Sequence, residues 1–145
     1  QPEGPVMARP AYPAVQWPDV ELVLCEWIRS SLHSASSTWS QCFVGHRVPA
    51  RDRRSHMVIV RRDGGHRMSA VTELARVGIT VWAPTETDCT QLAGVVRSVL
   101  GSIDLAATPL RSWTEVSGPS WVPDESDHPR LYSTAEAIVR AQPLP

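Results

Sequence analysis

The chain has 145 residues and a mass of 16.0 kDa, with 14 basic against 15 acidic side chains, a net charge of -1 and a pI near 6.6. That length fits one domain whose core needs no disulfide or metal staple, and the near-neutral charge lacks the basic excess that nucleic-acid binding leaves. Every basic residue is an arginine, which fits either a GC-rich coding genome or a preference for planar, bidentate contacts.

Cys25, Cys42 and Cys89 are odd in number and far apart, so reduced thiols in a cytosolic setting are expected. No stretch resembles a signal peptide, and no apolar run approaches the roughly 20 residues that span a bilayer. A soluble protein is expected, with an initiator methionine lost ahead of Gln1.

Residues 1–18 contain Pro2, Pro5, Pro10, Pro13 and Pro18 without an apolar period, which predicts a flexible arm. Asp19 then caps a helix with Val20, Val23, Leu24, Trp27, Ile28 and Leu32 on one face. Residues 34–40 read as a loop, 42–48 as a strand, and 49–55, with Arg51, Asp52, Arg53 and Arg54, as a charged connection. The run His56-Met57-Val58-Ile59-Val60-Arg61-Arg62 predicts the next strand. Asp63-Gly64-Gly65 supplies positive φ for a reversal, as a hairpin or bulge turn.

A further strand, Val77-Gly78-Ile79-Thr80-Val81-Trp82-Ala83, ends at Pro84, which has no N–H to give a ladder. Thr85 is the expected N-cap, with Asp88 where a capping box places its acid. Leu92, Val96, Val99 and Ile103 form the apolar stripe of the second helix, and Gly101 is its stop. A strand at 110–117, a Pro/Asp-rich loop at 118–129 and a last strand at 131–140 follow. The expectation is an α+β fold of order α-β-β-β-α-β-β: a mostly antiparallel or mixed sheet of about five strands, with two main helices packed on one face. The domain runs from 19 to 140, between the arm at 1–18 and a tail at 141–145.

Motifs for chemistry are missing. His33, His46, His56, His66 and His128 have no helical i, i+4 partner, and Cys42 and His46 would face together only on a helix. There is no Gly-x-Ser-x-Gly elbow, no activated cysteine context, and no Lys-Ser/Thr after Gly64-Gly65 to make a phosphate loop. No catalytic residue, metal or cofactor is therefore expected. The arginines at 51, 53, 54, 61 and 62 could be a solvated surface, a subunit or partner contact, or a DNA contact. Of six tryptophans, Trp27 and Trp82 follow core patterns. Trp17, Trp39, Trp113 and Trp121 lie in or near loops, where large aromatics mark contact surfaces.

Taken in order, the helix start at 19–24, Arg47-Val48-Pro49, the run 57–65, Val81-Trp82-Ala83-Pro84-Thr85-Glu86-Thr87-Asp88 with Leu92-Ala93 and Val96-Arg97, and Gly118-Pro119-Ser120-Trp121-Val122-Pro123-Asp124 resemble the tail terminator, or tail-completion, proteins of long-tailed (siphovirus) phages, especially those of actinobacterial hosts. The resemblance covers roughly residues 19–140 and omits 66–75. It implies a virion protein at the head-tail interface, assembled in the host cytoplasm, with no catalysis. It further implies a homohexameric ring that caps the tube of major tail protein and docks the head-completion or neck protein. Genomic DNA passes such a lumen without sequence-specific binding, and no membrane is involved. The charged loops, with Arg51, Arg53, Arg54, Trp121, Asp124 and Asp127, are the expected contacts with tube or neck. A neighbouring connector or stopper protein, and a small α/β ligand-binding protein or enzyme, are the rival readings; the last requires a concave pocket with convergent polar groups.

Overall fold

The computed structural model describes residues 14–123 and 128–145. Helix α1 (Val20–Ala35) begins where Asp19, in extended conformation, accepts a hydrogen bond from the Leu22 amide at 3.0 Å. Its buried positions Val20, Leu24, Cys25, Ile28 and Leu32 make one stripe, as the spacing predicts. Helix α2 (Glu86–Gly101) starts on Thr85, whose Oγ1 accepts from the Asp88 amide at 3.1 Å, and Ser102 caps its end. Trp27 Nε1 donates to the Val99 carbonyl at 2.9 Å, joining the two helices.

The helices cover one face of a five-stranded sheet of order β2-β3-β4-β6-β5, made of β2 (Phe43–Gly45), β3 (Met57–Arg67), β4 (Thr72–Trp82), β5 (Leu110–Trp121) and β6 (Arg130–Arg140). All neighbours are antiparallel except β2 and β3, which run parallel. Because side chains alternate across a strand, Val58 and Val60, Ala75 to Val81 in steps of two, and Ala137 and Val139 share one core with α1 and α2. On the opposite face, among the described residues, Met57, Ile59 and Trp82 form a small buried cluster, flanked by Phe43.

Several expected boundaries move. Asp63-Gly64-Gly65 is not a reversal. β3 continues through it as a bulge between Arg62 and Gly65, with φ of 102° at Gly64 and 128° at Gly65. A Cβ on Gly65 would collide with the Leu74 carbonyl. The chain turns instead at 68–71, where Ser69 Oγ accepts from the amides of Val71 and Thr72, a side-chain turn that needs no glycine. The expected strand at 42–48 keeps only Phe43–Gly45. β5 runs on to Trp121 with three register irregularities, so part of the expected loop is strand; an edge strand tolerates Pro119 at such bulges. Trp39, expected at the surface, is buried in a 3-10 turn against the edge of His56, with ring centroids 5.8 Å apart. A separate ribbon pairs β1 (Val15–Gln16) with β7 (Gln142–Pro143), tying the downstream end of the proline-rich segment to the C-terminal tail.

Candidate assembly interface

Strand register gathers the charged loops. Met57 pairs with Trp82, Trp82 with Arg130, and Trp121 with Leu131, so β3 and β6 start where β4 and β5 end. The segment 46–56 and the described residues 122–123 and 128–129 therefore lie at one end of the sheet, on opposite edges. Arg51, Arg53 and Arg54 are exposed there, around Asp52 with φ of 54°. Arg54 Nη1 donates to the Gln41 carbonyl at 2.9 Å, and among the described residues neither Arg51 nor Arg53 is in an ion pair. Trp121 is 50% exposed at the tip of the outermost strand. Asp124 and Asp127 lie outside the described residues. Arg130 belongs to the same end: its guanidinium stands 5.4 Å from the Trp82 ring centroid and Nη2 donates to the Pro123 carbonyl at 3.1 Å.

The sheet edges are not sticky. Along β2 and β3, backbone groups are capped by side chains. The Gln41 carbonyl accepts from Arg54, the Cys42 carbonyl from His33 at 3.3 Å, and the Val44 carbonyl from Arg29 at 2.7 Å, while the Arg62 amide donates to Glu21 at 2.7 Å. On the other edge, β5 relies on its bulges and Pro119. Both are devices that prevent open-ended strand addition. None of the capping residues was signalled by sequence, because each cap joins elements distant in the chain. Arg54 was singled out from the sequence for its charge and not for this role.

Nothing here resembles a reaction centre. Burial pushes the Cys25 thiol to about 11 and Cys42 to about 12, and it raises Cys89 as well, so the thiols stay protonated and unreactive near neutral pH. The histidines diverge: His33 serves the Cys42 carbonyl and His56 meets Trp39 edge to face. Among the described residues no three His, Cys, Asp or Glu side chains gather as a metal site, and no helix is long and apolar enough to cross a membrane. The cavity between α2 and the sheet holds about 20 Å³, about the room of one water.

Comparison with known proteins adds one finding. A family model described as phage tail termination protein matches residues 16–141. No match was found among curated protein sequences.

Proposed function

Starting from the fact that this chain belongs to the phage tail termination proteins, structural proteins of the tail, we propose that it closes the tail tube as a homohexameric ring. The ring stops addition of the major tail tube protein and offers its other side to the head-completion or neck protein. It sits at the head-tail interface of the virion after assembly in the host cytoplasm, and genomic DNA crosses its lumen without sequence-specific contacts.

The observation that carries this reading is the family match, which spans both helices and the whole five-stranded sheet. The guarded edges support it physically. A head-to-tail contact must close on itself or it grows a filament, and this chain blocks the simplest route to a filament. In the proposed ring, residues 19–140 form the body, with 1–18 as an arm and 141–145 as a tail. Arg51, Arg53 and Arg54 of one copy, together with Trp121, Asp124 and Asp127 of the next, supply charged contacts to neighbour, tube or neck.

The test is tube growth in solution. Purified tail tube protein is allowed to polymerise, and this protein is added during elongation. Arrest of growth, with a ring at one tube end by electron microscopy, is expected. Tubes that keep lengthening with bare ends would reject the cap and favour a neck protein that joins only finished tails.

A further inference from the structure

The end of the sheet opposite the charged loops has a different character. The 68–71 turn, the loop 102–109 and the β1–β7 ribbon meet there around a cleft of about 430 Å³. Its walls are mainly apolar, with Val15, Val71, Leu105, Pro109 and Ala141. Three of the large hydrophobic side chains that the surface exposes belong to this end: Met68 at 51%, Leu105 at 44% and Leu144 at 54%. Of these, Leu105 also lines the cleft, so exposed apolar surface continues into its wall.

The cleft also carries unanswered charge. Arg111 and Arg140 both line it, and among the described residues neither has a carboxylate partner, whereas Arg61, Arg62, Arg76 and Arg97 are each paired. The loop's own acid, Asp104, is exposed and accepts from the amides of Ala106 and Ala107 within its own turn at 2.9 and 3.3 Å, and it is in no ion pair with either arginine. Two guanidiniums above an apolar trough match an extended segment that buries aliphatic side chains and presents a carboxylate between them. The two-residue β1–β7 ribbon adds backbone groups that such a segment can extend against.

We infer that this cleft is the seat of an extended, carboxylate-bearing apolar segment of the tail tube protein, so that the apolar end of the sheet meets the tube and the charged end faces the neck. The inference rests on the cap reading above. A second copy of this chain is the wrong occupant. Copies stacked in line, charged end on apolar end, would run on as a filament unless their rotation closed a ring, and such a filament would prolong the tube that the cap must stop.

The test compares wild type with the double variant Arg111→Glu/Arg140→Glu, and separately with Leu105→Asp, for occupancy of purified tube ends counted by electron microscopy across a concentration series. Thermal unfolding and ring formation are measured on the same samples. Reversing both charges should raise the concentration needed for half-occupancy at least about tenfold, a difference of the size that one lost charged contact gives, with rings and melting temperature unchanged. Leu105→Asp alters the apolar rim and leaves the arginines in place, so it supplies an independent answer if the reversed pair fails to fold. Undiminished capping by folded variants would overturn the cleft assignment and leave the cap reading standing. Wild type that occupies no tube end would overturn the cap reading, and this inference with it.

Discussion

The helix-covered face of the sheet and its opposite face are held by different forces. Beneath α1 and α2, Leu24, Ile28, Leu32, Leu92 and Val96 lock against Val58, Val60, Val77 and Val139, all at most 2% exposed. The opposite face holds Met57, Ile59 and Trp82 at one end; beyond them come Thr80, Tyr132 and Thr134, the charged pair Arg76 and Glu136, and then half-buried Leu74 beside Ile138. Arg76 sits across from Glu136 at 3.4 Å, and Tyr132 Oη donates to Asp63 Oδ2 at 3.1 Å over Gly78. Glycine leaves room for that contact, since a Cβ would stand 2.5 Å from Tyr132 Oη and 2.7 Å from Asp63 Oδ2 and push these side-chain ends aside. The contrast separates two tasks. Hydrophobic burial on one face makes the fold, and the other face is more polar and only lightly committed.

The largest expected effect tests that division directly. Leu92→Ala or Leu24→Ala should cost about 2–5 kcal/mol in urea unfolding, the transfer and cavity cost of a buried leucine. Arg76→Ala on the opposite face should stay within about 0.5 kcal/mol. Comparable losses at the two positions would erase the distinction between the faces.

Thr85→Ala should cost about 1 kcal/mol, because the Asp88 amide loses its acceptor at the start of the helix that braces the covered face. A loss confined to α2, seen as faster amide exchange at 86–89 with the sheet unchanged, would sharpen the assignment. Gly78→Ala should separate Tyr132 from Asp63 and cost roughly 0.5–1.5 kcal/mol, the net value of one hydrogen bond. Tyr132→Phe should cost a similar amount, and the double variant less than the sum, because both act through one contact. Strict additivity would place the effect of Gly78 elsewhere.

The pH response follows from groups on both faces. Burial raises the thiols of Cys25 and Cys42 to about 11 and about 12, and burial with the Asp63 carboxylate beside it raises Tyr132. Each folded value lies above the unfolded one, about 8.5 for cysteine and about 10 for tyrosine. The protonated form is favoured in the fold, so its contribution is complete below the unfolded value and is lost as pH rises through the folded value. Stability set by these groups should therefore be flat near neutrality and decline above about pH 9. Unfolding measured at neutral and alkaline pH checks this; a decline that Cys25→Ser and Cys42→Ser fail to reduce would point to other groups. The smallest effect is expected for Arg97→Ala. Its bidentate pair with Glu115, 2.8 Å on each arm, lies at the surface, where solvent and salt screen it.

Most of the framework was legible because it is local. Asp19 and Thr85 announce helix starts by residue type, and the periods of α1, β3, β4 and β6 follow directly from alternation and helical spacing. Asp63-Gly64-Gly65 shows the limit. The need for positive φ is visible, but whether it serves a reversal or a bulge depends on register with β4, a non-local fact. The true turn at 68–71 is held by Ser69 and carries no glycine or proline signal. Pro119 marked a loop because proline breaks ladders, yet an edge strand with bulges accommodates it. Trp39 looked like a surface aromatic for want of a period around it; tertiary packing against His56 buries it. The charged loops were found by composition. Their placement at one end of the sheet, and the cleft at the other, arise only once the strands are paired.

The central claim is that this chain ends tube growth, and the length of tails in phage lacking its gene tests it most directly. Identical rings add to an open end until something covers it, so electron microscopy of the deletion strain should show overlong tubes beside unattached, filled heads. Tails of normal length that merely fail to join heads would contradict the account.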